Sequence, residues 1–106
     1  MDKRIIKIAD TYGYDAQSRQ LIEEMAELTQ AVNKFWRKKL ECGKEEFNWR
    51  TTSRLDTEHM VDEIADVTIM LAQMEYLLGC TDELSEKITE KLERQLQRID
   101  SMEVEK

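Results

Sequence analysis

Residues 17–40 read QSRQLIEEMAELTQAVNKFWRKKL, and residues 55–78 read LDTEHMVDEIADVTIMLAQMEYLL. In both stretches apolar residues recur every three or four positions, which is the spacing of one face of an α-helix. The two predicted apolar stripes are Leu21, Met25, Leu28, Val32 and Phe35, and Met60, Ile64, Val67, Leu71, Met74 and Leu78. Two long amphipathic helices therefore form the centre of the predicted fold.

A short helix is predicted before the first long one. It covers residues 2–11 and ends before Gly13, because glycine is the usual residue after a helix C-terminus. Asp15 is a good N-cap for the long helix that follows, which should run to about residue 40. Residues 41–55 have no sustained period and are interpreted as a long irregular connection, a kind of segment that often carries function.

A fourth helix is predicted at the C-terminal end. Asp56 or Thr57 caps the second long helix and Gly79 closes it, after which Thr81 or Asp82 caps the last helix. Its apolar stripe is Leu84, Ile88, Leu92, Leu96 and Ile99. Outside this stripe the helix is highly charged, so we expect it to pack against a second subunit.

The composition favours helix throughout. The 106 residues include no proline and only three glycines, whereas the abundant Glu, Lys, Leu, Met and Gln are good helix formers. We therefore predict a single all-α domain over residues 1–106, a helical bundle of about four helices. A chain this short buries only roughly two-thirds of its unfolded surface, so we expect oligomerisation to complete the core.

The chain carries no sign of export or membrane insertion. No apolar run approaches the roughly 18 residues of a membrane span, and the N-terminal Met-Asp-Lys-Arg lacks the core of a signal peptide. Cys42 and Cys80 have no CxxC spacing and are interpreted as reduced thiols. We expect a cytoplasmic protein with no membrane partner.

Charge is unevenly distributed along the chain. Sixteen Lys and Arg against 23 Asp and Glu give a net charge of −7, which disfavours binding to a nucleic acid polymer. Residues 34–54, however, contain seven bases and three acids, a net charge of +4 that leaves −11 for the rest. A basic segment inside an otherwise acidic helical protein is a feature that a functional prediction has to explain.

Carboxylates recur at matched spacing on the two long helices. Glu24 and Glu27 lie three positions apart on the first, and Glu63 and Asp66 lie three apart on the second, so each pair borders its apolar stripe. If the helices pack antiparallel, the four carboxylates converge and repel one another unless a cation neutralises them. Oxygen ligands of this kind suit Mg²⁺, with Mn²⁺ as a substitute. Solvated surface acids remain the other interpretation, since Glu is common on helices.

The segments LIEEMAEL (21–28) and VDEIADV (61–67) resemble the EExxE…ExxD signature of MazG-like nucleotide pyrophosphohydrolases, in the all-α NTP pyrophosphatase superfamily. The resemblance implies Mg²⁺-dependent cleavage of a (d)NTP to (d)NMP and pyrophosphate, in nucleotide-pool housekeeping, by a homodimer or homotetramer. A dUTP- or dCTP-specific pyrophosphatase of the same superfamily is an alternative. A non-catalytic helical oligomerisation or interaction protein is another.

The resemblance also implies roles for individual residues. Glu24, Glu27, Glu63 and Asp66 correspond to the Mg²⁺ ligands, and Glu24 or Glu27 would also act catalytically by orienting the attacking water. Glu23, the first acid of the signature, would have a structural role or would hold the metal-binding carboxylates in place.

The basic segment supplies the predicted phosphate-binding residues, which are Lys34, Arg37, Lys38, Arg50 and Arg54. Thirty-five residues separate Glu27 from Glu63, more than in compact members of the family, so we expect the connection to contribute to substrate binding. His59, the single histidine, lies one turn before Glu63 and is a further supporting candidate.

Overall fold

The computed structural model of the chain describes residues 1–42 and 54–104, almost all of them helical and none in a strand. Three helices account for these residues: α1 (Lys3–Cys42), α2 (Arg54–Leu78) and α3 (Thr81–Val104). The all-α fold class is therefore confirmed, and the first of the three helices contains a kink at a boundary that the sequence predicted between two of about four helices. The predicted start and end of α2 and the start of α3 agree with the structure to within about two residues, as is normal for helix ends.

The difference in helix number arises at Gly13. At the predicted boundary Gly13 leaves helical geometry, with φ 82° and ψ 171°, so that two helical segments of α1 meet at a kink. Glycine tolerates this positive φ because it has no Cβ. The predicted interruption at Gly13 is therefore present as a kink, and Asp15 lies near the start of the second helical segment of α1.

Helices α1 and α2 pack as an antiparallel hairpin. Near the kink, the Tyr76 hydroxyl donates to the Asp10 carboxylate at 2.8 Å, and further along the Gln17 amide donates to the Gln73 side-chain oxygen at 2.7 Å. The two glutamines are buried between the helices. The buried apolar side chains are few and come from both helices: Ala9, Ala31, Val67, Met70 and Met74.

Some residues of the predicted apolar stripes are buried between α1 and α2, whereas others are exposed to solvent. Val67 and Met74 are buried as predicted, but Met25 and Val32 on α1 are each 49% exposed, and Leu71 on α2 is 52% exposed. The physical reason is that the apolar surface of each helix is wider than the strip that a single neighbouring helix can cover. The hairpin therefore leaves part of its apolar surface uncovered.

Helix α3 follows Gly79, whose φ of 60° turns the chain, and touches only the end of α2. None of its residues is buried. The side chains of its predicted stripe are between 37% exposed, at Leu84, and 61% exposed, at Leu96. The prediction of a helix is therefore confirmed, but no other part of the described chain covers its apolar stripe. Within the described ranges, no helix is both long enough and apolar enough to cross a membrane.

Candidate metal centre

Three of the four predicted ligands meet on one side of the hairpin. One carboxylate oxygen each from Glu24, Glu63 and Asp66 lies within 4.8 Å of the others. The antiparallel packing of α1 on α2 brings them together, because it sets the ExxE turn of one helix beside the ExxD turn of the other. We call these three residues the acidic cluster.

Two oxygens of the acidic cluster have no hydrogen-bond donor in the described part of the chain. They are Oε2 of Glu24 and Oε2 of Glu63, and both atoms are buried from solvent. A buried carboxylate oxygen without a donor is unfavourable, and two of them side by side also repel. A divalent cation that prefers oxygen ligands would remove both penalties, so the cluster fits Mg²⁺ or Mn²⁺.

Glu27 lies beside the acidic cluster. The negative charges of Glu24 and Glu63, with partial loss of solvent and a hydrogen bond to Glu24, raise the pKa of the Glu27 carboxyl above its ordinary value. A carboxyl group in this setting accepts a proton more readily than an isolated surface glutamate.

A cleft of about 560 Å³ opens next to the acidic cluster, within the size range of about 300–1,000 Å³ typical of small-molecule sites. Its walls come from one stretch of α1 and one turn of α2: Glu27, Gln30, Ala31, Asn33, Lys34, Arg37, His59 and Glu63. Acids therefore line one end of the cleft and two bases line another part. This arrangement suits a ligand that is anionic and brings a metal ion with it.

The predicted basic residues are only partly accounted for. Lys34 and Arg37 line the cleft, whereas the half-buried Lys38 does not. Arg50 and the side chain of Arg54 lie outside the described residues, although Arg54 begins α2.

The supporting candidates also separate. His59 is exposed and lines the cleft, one turn before Glu63 on α2. Glu23 is exposed and lies outside the acidic cluster, and among the described residues it makes no hydrogen bond or ion pair that would support a ligand.

Two glutamines near the site were not predicted. The Gln20 amide donates to Oε1 of Glu24 at 2.8 Å, which holds that carboxylate in place, and Gln30 lines the cleft. Gln20 precedes Glu24 by four positions and Gln30 follows Glu27 by three, so helical spacing was the available signal.

No family model, curated protein or solved structure matches this chain.

Proposed function

We propose that this chain is a Mg²⁺-dependent nucleoside triphosphate pyrophosphohydrolase of the MazG-like type, a hydrolase that cleaves (d)NTP to (d)NMP and pyrophosphate. The observation that carries the proposal is the acidic cluster, which opens into a cleft that Lys34 and Arg37 also line and which has two buried oxygens without a donor among the described residues. A nucleoside triphosphate matches this combination because it is a small polyanion that binds proteins together with a divalent cation.

The residues divide into three roles. Glu24, Glu63 and Asp66 hold Mg²⁺, and Gln20 keeps the Glu24 carboxylate oriented. When bound, the ion supplies positive charge that neutralises the phosphates and orients them for in-line displacement. Glu27 stands beside this group and is the fourth predicted ligand.

Glu27 is also the better of the two catalytic candidates, since it lines the cleft while Glu24 belongs to the acidic cluster that would hold the metal. In the proposed reaction a water oxygen bonds to the α-phosphorus, while the bridging oxygen between the α- and β-phosphates departs with pyrophosphate. The proton of the water passes to Glu27. Lys34 and Arg37 bind the departing phosphates, because their positive charge lines the same cleft.

Assembly and context are part of the proposal. We place the enzyme in the cytoplasm, in nucleotide-pool housekeeping, as a homodimer or homotetramer. The dUTP- or dCTP-specific activity is the narrower form of the same function. The uncovered stripe of α3 favours the second candidate, a non-catalytic helical oligomerisation protein, in which the acids are surface charges.

A substrate panel tests the proposal. The purified chain is incubated with each (d)NTP and Mg²⁺, and monophosphate and pyrophosphate are resolved from diphosphate and orthophosphate. We expect pyrophosphate release that Asp66→Asn abolishes, while the matched control Asp62→Asn, which changes an exposed acid on the same helix, retains it. Diphosphate with orthophosphate would contradict the reaction. No turnover of any nucleotide would favour the non-catalytic candidate.

A further inference from the structure

Two buried glutamines lie between α1 and α2. Gln17 is 8% exposed and Gln73 is 1% exposed, and they are the buried polar side chains in the part of the chain that the structure describes. The Gln17 amide donates to the side-chain oxygen of Gln73 at 2.7 Å, and the Gln73 amide lies 3.5 Å from the Met70 sulfur, a weak acceptor. We call Gln17 and Gln73 the glutamine pair. Two amides in so small a core need an explanation, because apolar side chains of similar size would be buried without any loss of hydrogen bonds to water.

The glutamine pair lies in the same register as the acidic cluster. On α1, Gln17 precedes Glu24 by seven positions. On α2, Gln73 follows Asp66 by seven positions. Because the helices run antiparallel, both steps go the same way along the hairpin, and each covers about two turns, or about 10.5 Å. The hydrogen bond of the pair and the approach of the carboxylates therefore require the same alignment of α1 on α2.

The other contacts between the helices select this alignment poorly. Apolar side chains attract one another without direction, so they pack at more than one offset. The acids oppose the alignment when no cation is bound, since Glu24 and Glu63 repel at close range. A slip of one turn would relieve that repulsion. It would also place Gln17 beside an apolar residue such as Met70 or Leu77, where its buried amide has no partner.

We propose that the glutamine pair sets the register of the hairpin and so holds the metal-binding carboxylates of α1 and α2 opposite one another. Polar residues buried in helix interfaces can favour one register in this way, at some cost in stability. Gln17 and Gln73 are thus positioning residues, which act through the alignment of the helices from two turns away. The inference rests on the metal site of the proposed function, but it does not depend on the hydrolysis.

The hydrogen bond from Tyr76 to Asp10 has a different register. Asp10 precedes Gln17 by seven positions. Tyr76 follows Gln73 by only three, and the kink at Gly13 separates the two contacts. The Tyr76 bond is also exposed, so water can replace it. Tyr76→Phe is therefore a matched control, since it removes a hydrogen bond between the same helices without leaving a buried group unpaired.

Metal affinity tests the proposal on the full chain. The double variant Gln17→Leu, Gln73→Leu changes no carboxylate and keeps the interface apolar. Displaced registers should gain at least tenfold in weight, because they no longer leave buried amides unpaired. Apparent affinity falls with the fraction of molecules in the competent register. We therefore expect the Kd for Mn²⁺, measured from the EPR signal of the free ion, to rise at least threefold.

Tyr76→Phe should bind Mn²⁺ with the wild-type Kd. A rise of less than threefold in the double variant, or an equal rise in Tyr76→Phe, would overturn the proposal.

Amide NMR spectra report on the register itself. The metal-free wild type should give one set of signals for α1 and α2. The double variant should give additional or broadened signals for the same helices, and diamagnetic Mg²⁺ should restore a single set by selecting the register that brings the carboxylates together. One sharp set in the metal-free double variant would refute the inference, because a pair that only adds stability does not change the number of populated registers.

A second variant covers a failure to fold. Gln17→Met with Gln73→Met keeps the length and the unbranched shape of both side chains and takes the place of the leucine variant in both measurements. If neither variant folds, the glutamine pair is required for the hairpin as a whole rather than for its register, and the inference is wrong.

Failure of the inference can be told apart from failure of the proposed function. A wild type that binds neither Mn²⁺ nor Mg²⁺ rejects the metal site and the proposed function, whereas the metal-free spectra still decide the register. Metal binding without pyrophosphate release rejects the hydrolase alone. Hydrolysis by a double variant that matches the wild type in Kd and spectra rejects only the role of the glutamine pair.

Discussion

The substitution Glu63→Gln tests whether the acidic cluster binds a metal ion or consists of acidic side chains that are close together by chance. Glu63 and Glu24 each have a buried carboxylate oxygen that accepts no hydrogen bond from residues 1–42 or 54–104, and one oxygen of each carboxylate lies within 4.8 Å of the other. The glutamine keeps the size of the side chain, removes one negative charge and offers an amide to Glu24. We therefore expect the variant to be more stable than the wild type when metal is absent.

The size of the gain follows from the distance. Two unit charges at 4.8 Å repel by about 0.9 kcal/mol in bulk water and by about 3.5 kcal/mol at the effective dielectric constant of about 20 near a protein surface. Because both glutamates are half-buried, we expect a gain of about 1–2 kcal/mol in the free energy of unfolding. A gain of 1 kcal/mol corresponds to about 4–8 °C in Tm for a small domain.

Addition of metal should make the wild type more stable than the Glu63→Gln variant. At a free ion concentration of 100 times its Kd, a bound ion adds about 2.7 kcal/mol to the wild type. The variant lacks one ligand of the acidic cluster and gains less. The assay is thermal unfolding in EDTA and across a Mn²⁺ titration, at one protein concentration so that self-association does not contribute.

Asp62→Asn is the matched control, since it removes one charge next to Glu63 from an exposed position on the same helix. It should follow the wild type in both conditions. The reasoning is refuted if Glu63→Gln lowers the Tm in EDTA, or if Mn²⁺ raises the Tm of wild type, variant and control equally.

Three further results are expected from the hairpin and its cleft. Gln73→Leu leaves the amide of Gln17 buried without a partner and should cost about 1–3 kcal/mol in urea denaturation, whereas replacing both glutamines by leucine should cost less; equal losses would contradict this. Arg37→Ala should raise KM for the triphosphate and leave Mn²⁺ affinity unchanged, unlike Arg94→Ala on α3, which should change neither. Because its neighbours raise the pKa of Glu27, the folded state binds a proton there more tightly than the unfolded state. The Tm of the metal-free protein should therefore rise as the pH falls from 7 towards the ordinary pKa of about 4.3, and Glu27→Gln should lose this contribution.

The helices and the placement of the acidic residues could be predicted because they depend on local spacing. Gly79 marks the end of α2, and the three-residue steps from Glu24 to Glu27 and from Glu63 to Asp66 decide which acids share a side of a helix. Such rules need only the geometry of one helix. The meeting of the two pairs required one added assumption, antiparallel packing, which the structure bears out.

Which side chains are buried between α1 and α2 could not be predicted in the same way. Met25 and Ala31 both belong to the apolar side of α1, but the alanine faces α2 and the methionine faces solvent. The sequence carries two adjacent apolar surfaces on one helix, and a single period does not say which of them meets which neighbour. The buried pair of Gln17 and Gln73 was also hidden, because each glutamine alone has the pattern of a surface residue.

The register of the hairpin has a consequence for the order in which it forms. The residues that interact across the hairpin are 36 positions apart for the repelling pair Glu27 and Glu63, 56 apart for the hydrogen-bonded Gln17 and Gln73, and 66 apart for the hydrogen-bonded Asp10 and Tyr76. Closing the longest of these loops costs about 0.6 kcal/mol more than closing the shortest, since each doubling of length adds about that much. Pairing should therefore begin at the end that carries the acidic cluster and proceed towards Gly13. The first turns to meet are then the ones that repel, so a divalent ion should accelerate refolding as well as stabilise the folded state.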